Sequence, residues 1–360
     1  MPLYKTFGVD LGTSMIKIYS AQNDSILKEK NMIAIRNENQ ILASGNEAYK
    51  IYEKNPSNVS VIEPMAFGKI ADINRTEIVL QSLLKRAGSQ QFFGNSVYLA
   101  VPTDLSEIEK RAYYTIGNSK RKNKVYMVEK PIADAVSLGL PINHTSGSMI
   151  VNIGAQSTEI SIIEKGRVVI SKMVEVGGKQ LNEAIISMVR RNCNLNIGER
   201  SAARLKLSLS YLKDDPQEVR KVVGVDWITG LPQVGVVTSD MVNEAIEEPF
   251  LKICEEIRFF LDRIPPQIYS NIADEGVFLI GGTTKIPGVG WFISHLLLQL
   301  LPHSLALAVP VLRLSVPVLR LSVPVLAVPV LAVSARLFPP HFALLLQQLR
   351  YYLMYCFAQY

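Results

Sequence analysis

Cysteine is scarce in this chain: Cys193, Cys254 and Cys356 are the only three among 360 residues. They lie far apart and lack the spacing of metal ligands, so neither a zinc module nor a disulfide framework is expected. Free thiols in a reducing compartment fit better. Clustered positive charge is also missing. The formal net charge of +6 comes from 38 basic and 32 acidic residues spread along the chain, which argues against a nucleic-acid partner. Residues 1–12 show no charged stretch followed by an apolar core, so no secretory signal is read and a cytoplasmic body is expected. Acids and lysine disappear altogether from Pro287 onward, where four arginines are the only cations besides histidine.

That last absence sets residues 291–360 apart. Ser315–Leu326 carries the repeat SVPVLRLSVPVL, and a shorter echo follows through Leu331. Prolines at 317, 324 and 329 break the hydrogen bonding of any continuous spanning helix. The segment also lacks the alternation of a half-buried strand. Two origins remain open, an out-of-frame translation and a membrane-seeking tail. Either way, no compact strand-and-helix closure is expected there.

The rest of the chain is apolar enough for two domains of ordinary size; hydrophobic residues make up 48% of the whole. Phe7–Tyr19 reads as a strand, a glycine turn and a second strand. Met149–Ile162 repeats it, pairing Asp10 with Asn152 and Gly12 with Gly154. Two such hairpins suggest a duplicated α/β domain. Between them, Ser96–Pro102 reads as a buried strand. A helix should follow, capped by Thr103 or Asp104, with Leu105, Ile108 and Ala112 as its apolar stripe. Another strand, Val125–Val128, precedes a helix opening at Pro131.

A phosphate cradle needs converging backbone N–H groups, with glycine wherever a side chain would collide. Gly12-Thr13-Ser14 and Gly154-Ala155-Gln156-Ser157-Thr158 can supply two of them. Asp10 could hold water on Mg²⁺, and Lys17 could reach a phosphate. The strand Gly276–Ile280 ends in Gly281-Gly282-Thr283-Thr284, which admits a flat group such as adenine.

The order Asp10-Leu11-Gly12-Thr13, Pro131, Gly154 with Ser157-Thr158, then Gly281-Gly282 resembles the nucleotide signature of actin, sugar kinases and heat-shock chaperone ATPases. Within that group, Ile70-Ala71-Asp72, Gly139-Leu140-Pro141, Val176-Gly177-Gly178 and Ile197-Gly198-Glu199 with Lys206 resemble the MreB/Mbl-type bacterial actins. The likeness runs from residue 7 to about 290. It implies duplicated actin-like, ribonuclease H-like domains around a nucleotide cleft. These would span 1–146, with a small insertion near 30–70, and 147–290, followed by the aberrant tail. It also implies ATP with Mg²⁺ as cofactors. Thr13, Ser14, Met15, Ala155, Gln156 and Ser157 would lie at the phosphates. Ala203, Arg204 and Lys206 would lie at the ribose and adenine, with Gly281–Thr284 closing over the nucleotide.

Four positions depart from the family pattern. Lys130 stands where a glutamate orients the attacking water, with Glu129 one step earlier; an ammonium only donates hydrogen bonds and cannot take the proton. Asn152 replaces an acid, as does Lys179 after Gly177-Gly178, and Ala203 replaces the glutamate before Arg204. Weak hydrolysis with retained ATP binding is therefore expected. The loop Gly88–Asn95 carries Phe92 and Phe93 at its tip, where the resemblance implies contact with the inner face of the cytoplasmic membrane. The implied function is a filament subunit that organises cell-wall synthesis proteins and cell shape. A soluble small-molecule kinase of the same superfamily and a defective frameshifted product are the alternatives.

Overall fold

The structure is a computed structural model and describes residues 5–37, 40–54, 56–89, 94–118, 122–300 and 312–314. Phe92, Phe93 and, in the tail, residues 301–311 and 315–360 with the whole of the repeat lie outside the described residues. The chain divides into two units. One runs to Thr145 and takes in Lys165–Val168; the other comprises Ser146–Glu164 and continues from Val169.

The first unit opens with an antiparallel run of β1 (Lys5–Leu11), β2 (Met15–Ser20) and β3 (Ser25–Lys30). A small sheet follows from β4 (Ile33–Arg36), β5 (Gln40–Ser44) and β6 (Val59–Ile62), with α1 (Asn46–Ile51) packed on it through Ala48. The hairpin of β7 (Met65–Ala66) and β8 (Lys69–Ile70) leads into α2 (Ile73–Arg86). Then come β9 (Asn95–Val101), α3 (Glu107–Gly117), β10 (Lys124–Glu129) and α4 (Lys130–Ser137). The main sheet has the order β10-β9-β1-β2-β3, with β1, β9 and β10 parallel. Its core follows from period-two alternation: Phe7, Val9 and Leu11 face the same interior as Val97, Leu99 and Val101. Val79, Leu80, Leu83 and Leu84 on α2 cover that face at helical spacing.

The cap of α3 differs from the sequence expectation. Ser106, not Thr103 or Asp104, accepts from the Glu109 backbone N–H at 3.3 Å, and the Glu109 carboxylate accepts from Ser106 N at 2.7 Å. This reciprocal capping box starts the helix later. The later start also turns Ile108 out to solvent, and Tyr113 and Ile116 become the buried positions.

The second unit repeats the plan. β11 (Ser148–Ile153), β12 (Thr158–Glu164) and β13 (Arg167–Val174) lead to α5 (Gly178–Cys193). Next come β14 (Leu195–Asn196), α6 (Glu199–Leu209) and the ribbon of β15 (Val219–Asp226) and β16 (Pro232–Thr238). The chain continues through α7 (Ser239–Leu261), α8 (Pro266–Glu275), β17 (Val277–Ile280) and α9 (Val289–Leu300), and then β18 (Leu312–Leu314). The main sheet is ordered β13-β12-β11-β17-β18. β11 pairs antiparallel with β12 and parallel with β17, as β1 does with β2 and β9.

The composition change near Trp291 falls inside α9. Ile293, Leu296 and Leu297 share one side of that helix and are buried in the core with Phe250 and Ile253 of α7. Leu312–Leu314 pairs parallel with Val277–Leu279 and occupies the place that β10 holds in the first sheet.

Candidate functional site

In the first unit the candidate residues collect at the β1–β2 turn. Leu11 pairs with Ile16 across the sheet, leaving Gly12–Met15 as the connection. Gly12 N donates to Met15 O at 3.1 Å, and a Cβ on Gly12 would stand only 2.7 Å from that oxygen. Glycine is required by close approach here, not by an unusual φ. The turn is held from outside by residues the sequence reading did not single out. Asn31 donates through Nδ2 to Gly12 O and through its backbone N to Ser14 O, both at 3.0 Å. Thr13 Oγ1 accepts from Gly68 N at 2.9 Å, and buried Tyr113 donates to Gly68 O. Lys30 Nζ reaches Ser14 Oγ at 3.4 Å. No local motif marks Asn31 or Gly68, because each acts through the folding of separate hairpins onto the turn.

Asp10 lies opposite Lys17 in the β1–β2 register, and Lys17 Nζ meets Asp10 Oδ2 at 3.0 Å. Lys130, at the start of α4, brings its Nζ to 3.5 Å from Asp10 Oδ1. Burial by itself would raise the Asp10 carboxyl, but Lys130 and Lys17 together outweigh it and hold the group well below the usual carboxylate range. Glu129 is exposed at the end of β10, and its charge is felt by Lys110. The two neighbours therefore have different surroundings, and it is the ammonium that reaches Asp10. Both oxygens of Asp10 thus face ammonium groups, and each keeps a further lone pair that could accept from water on Mg²⁺.

In the second unit Ile153 pairs with Thr158, leaving Gly154–Ser157 as a connection of the same length. Gly154 N donates to Ser157 O at 2.9 Å, and a Cβ on Gly154 would lie 2.9 Å from that oxygen. The start of α5 docks on this turn: Gly178 N donates to Gly154 O at 3.0 Å, and Lys179 N to Ala155 O at 2.6 Å. Gly177 permits the approach, since a Cβ there would sit 2.8 Å from Ser157 N. Lys206 Nζ donates to Gly178 O at 2.7 Å, and Thr283 Oγ1 to Gly154 O at 3.0 Å. Thr284 Oγ1 donates to Gly281 O at 2.9 Å.

The fold therefore gathers Gly154, Ala155, Lys206 and Thr283 into one hydrogen-bonded group. Gly281 packs against Ile153 and Asn152 in the same group, while Gly282 faces open space. Buried Gln156 belongs to the turn itself. Thr158 is fully buried, and its hydroxyl donates to Val176 O. Ala203 is half-buried on α6, one turn before Lys206, whereas Arg204 is exposed.

Two units with one strand order, each carrying a glycine turn at the same place, have the actin-like fold. MreB 5 of Spiroplasma citri bound to AMPPNP matches it with a TM-score of 0.79 at 22% identity, over 87% of this chain and 92% of that one. A MamK double helical filament gives a TM-score of 0.69 at 18% identity, over 86% and 94% of the two chains. The MreB/Mbl protein family matches residues 4–302. Cell shape-determining protein MreB of Escherichia coli strain K12 is 34% identical over 283 residues, covering 76% of this chain and 81% of that protein. Cell shape-determining protein Mbl of Bacillus subtilis is 30% identical over 294 residues, covering 81% and 88%. The chain belongs to the MreB/Mbl family.

Proposed function

We propose that this protein is an ATP-binding, filament-forming determinant of cell shape that works from the cytoplasmic face of the membrane and organises wall-synthesis proteins. The observation that carries this reading is the pair of matched turns. Gly12 and Gly154 make the same hydrogen bond across connections of equal length, and two such glycine turns are what a pair of phosphate cradles needs. Lys206, on α6, adds a fixed cation beside the second turn. The names of the relatives supply the cellular role, and the MamK filament supplies the precedent for self-association.

Adding ATP to the purified chain should move it from the supernatant to the pellet in high-speed sedimentation, with filaments visible by electron microscopy. A chain that stays monomeric at every concentration, with and without ATP, would exclude the filament reading.

Membrane attachment is assigned to Phe92 and Phe93. Burying one phenylalanine contributes about 1.5–3 kcal/mol, which is weak for a single subunit and sufficient when a filament presents many copies. Phe92→Ser with Phe93→Ser should abolish most co-sedimentation with liposomes and leave the circular-dichroism melt unchanged. A large fall in melting temperature would instead place these rings in the core.

No helix among the described residues is long and apolar enough to cross a membrane. A surface contact of this kind needs none.

A further inference from the structure

We infer that the ribbon of β15 and β16 is a lipid-binding surface of the second unit, with Trp227, Ile228 and Leu231 entering the interface of an anionic bilayer. This contact is additional to Phe92 and Phe93 and does not depend on them. The strand register puts Val219, Lys221, Val223 and Val225 on one face with Pro232, Val234 and Val236. The opposite face carries Val222 and Val237, both buried in the core, together with Gly224 and Gly235. A Cβ on Gly224 would lie 2.7 Å from Asn196 O, and one on Gly235 2.6 Å from Leu195 Cδ1, so that side is closely filled. The first face is open: its five valines stand between 45% and 66% exposed. A ribbon with one face in water should present polar residues there. This one presents a contiguous apolar strip.

The hairpin tip extends the strip. Trp227, Ile228 and Leu231 are 55%, 78% and 65% exposed. Their presentation is fixed from within, because Asp226 Oδ1 accepts from Ile228 N at 2.9 Å, Thr229 N at 2.6 Å and Thr229 Oγ1 at 2.8 Å.

Charge decides what the strip meets. Lys221 is the single charged side chain on the apolar face. Arg190 of α5 lays its guanidinium 3.4 Å from the centre of the Trp227 ring, bringing a second cation to the tip. The acids at the ends of β15 are already engaged, Glu218 with Arg220 and Asp226 within the tip. Stacked on the same face of a second copy, Lys221 would be buried among valines with no carboxylate on that face to meet it. Against a bilayer its stem lies on the apolar strip while its ammonium reaches phosphate. Each cation near an anionic surface adds attraction, and a tryptophan beside a cation suits the boundary between acyl chains and headgroups.

The chain has two tryptophans, Trp227 and Trp291, so Trp291→Phe leaves Trp227 as the single fluorescent reporter. Vesicles of equal parts phosphatidylcholine and phosphatidylglycerol should shift its emission to the blue and expose it to quenching by lipids brominated near the headgroup. Binding to phosphatidylcholine alone should be about tenfold weaker or more. Ile228→Ser with Leu231→Ser should weaken binding to the anionic vesicles by a similar factor, with circular dichroism to verify the fold. At high lipid the Trp227 shift should persist when Phe92→Ser and Phe93→Ser are added.

An unshifted Trp227, in a chain that still co-sediments with the vesicles through Phe92 and Phe93, would overturn the inference and leave that first contact standing. A blue shift that grows with protein concentration in the absence of vesicles would give the face to a second copy and equally overturn it. Equal binding to neutral and anionic vesicles would overturn the role given to Lys221 and Arg190.

Discussion

The double variant Lys130→Glu with Asn152→Asp is expected to release phosphate from ATP about tenfold faster or more than the natural chain, for which we propose ATP binding with slow turnover. Lys130 is fixed at the start of α4, where Pro131 sets the first turn. From there its side chain already reaches the Asp10 carboxylate. A glutamate in that place can accept a proton from water, whereas an ammonium carries only donors. A positioned general base contributes roughly 10²–10⁴ in rate, and part of that range is expected because the neighbouring turn is already held by Asn31 and Gly68. Asn152→Asp keeps the side-chain shape beside Gly281 and restores the acid that the first hairpin carries at Asp10. Single-turnover phosphate release, measured with saturating ATP, checks the prediction. An unchanged rate in a variant that still binds ATP would show that residue 130 is not what limits hydrolysis.

Gly281→Ala should destabilise the second unit by about 3 kcal/mol or more. Gly281 has φ +102° and ψ 170°, a region open essentially to glycine alone. An added Cβ would also stand 2.3 Å from Ile153 O and 2.7 Å from Asn152 Oδ1. The first of these is backbone in the central strand of the sheet, so relief requires moving β11 or β17. Gly282→Ala is the matched control, because a Cβ there meets nothing within 4 Å. It should change stability by less than about 0.5 kcal/mol. Urea denaturation of the two variants separates them. Equal losses would mean that Gly281 is not conformationally required.

Local sequence accounts for the elements and the turns. Alternation in Lys5–Leu11 and Asn95–Val101 sets two inward faces, and the glycines of both hairpins mark connections that tolerate no Cβ. The double glycine after β17 marks a sharp exit from a buried strand. These features depend on steric rules within a few residues, so they are visible in one dimension. The true cap of α3 was harder to read because Thr103, Asp104 and Ser106 all have capping side chains. The burial of Leu105 ahead of the helix, and the Glu109 partner of Ser106, select the last of them.

What the sequence by itself determined is a duplicated α/β protein with glycine turns at equivalent places and, through its family resemblance, an altered charge pattern at residues 130, 152, 179 and 203. Only the tertiary structure decided where those charges act. Lys130 meets Asp10 because β10, β9 and β1 lie side by side in parallel register, with Asp10 and Val128 both opposite Ala100. That alignment carries the start of α4 to the hairpin acid across a separation of many residues. The same holds for Leu312–Leu314, whose composition suggests no structure and whose role as a fifth strand comes from the open edge of β17. Pairings of this kind depend on strand order, and strand order is set by how whole apolar faces bury against one another, beyond the reach of any local pattern.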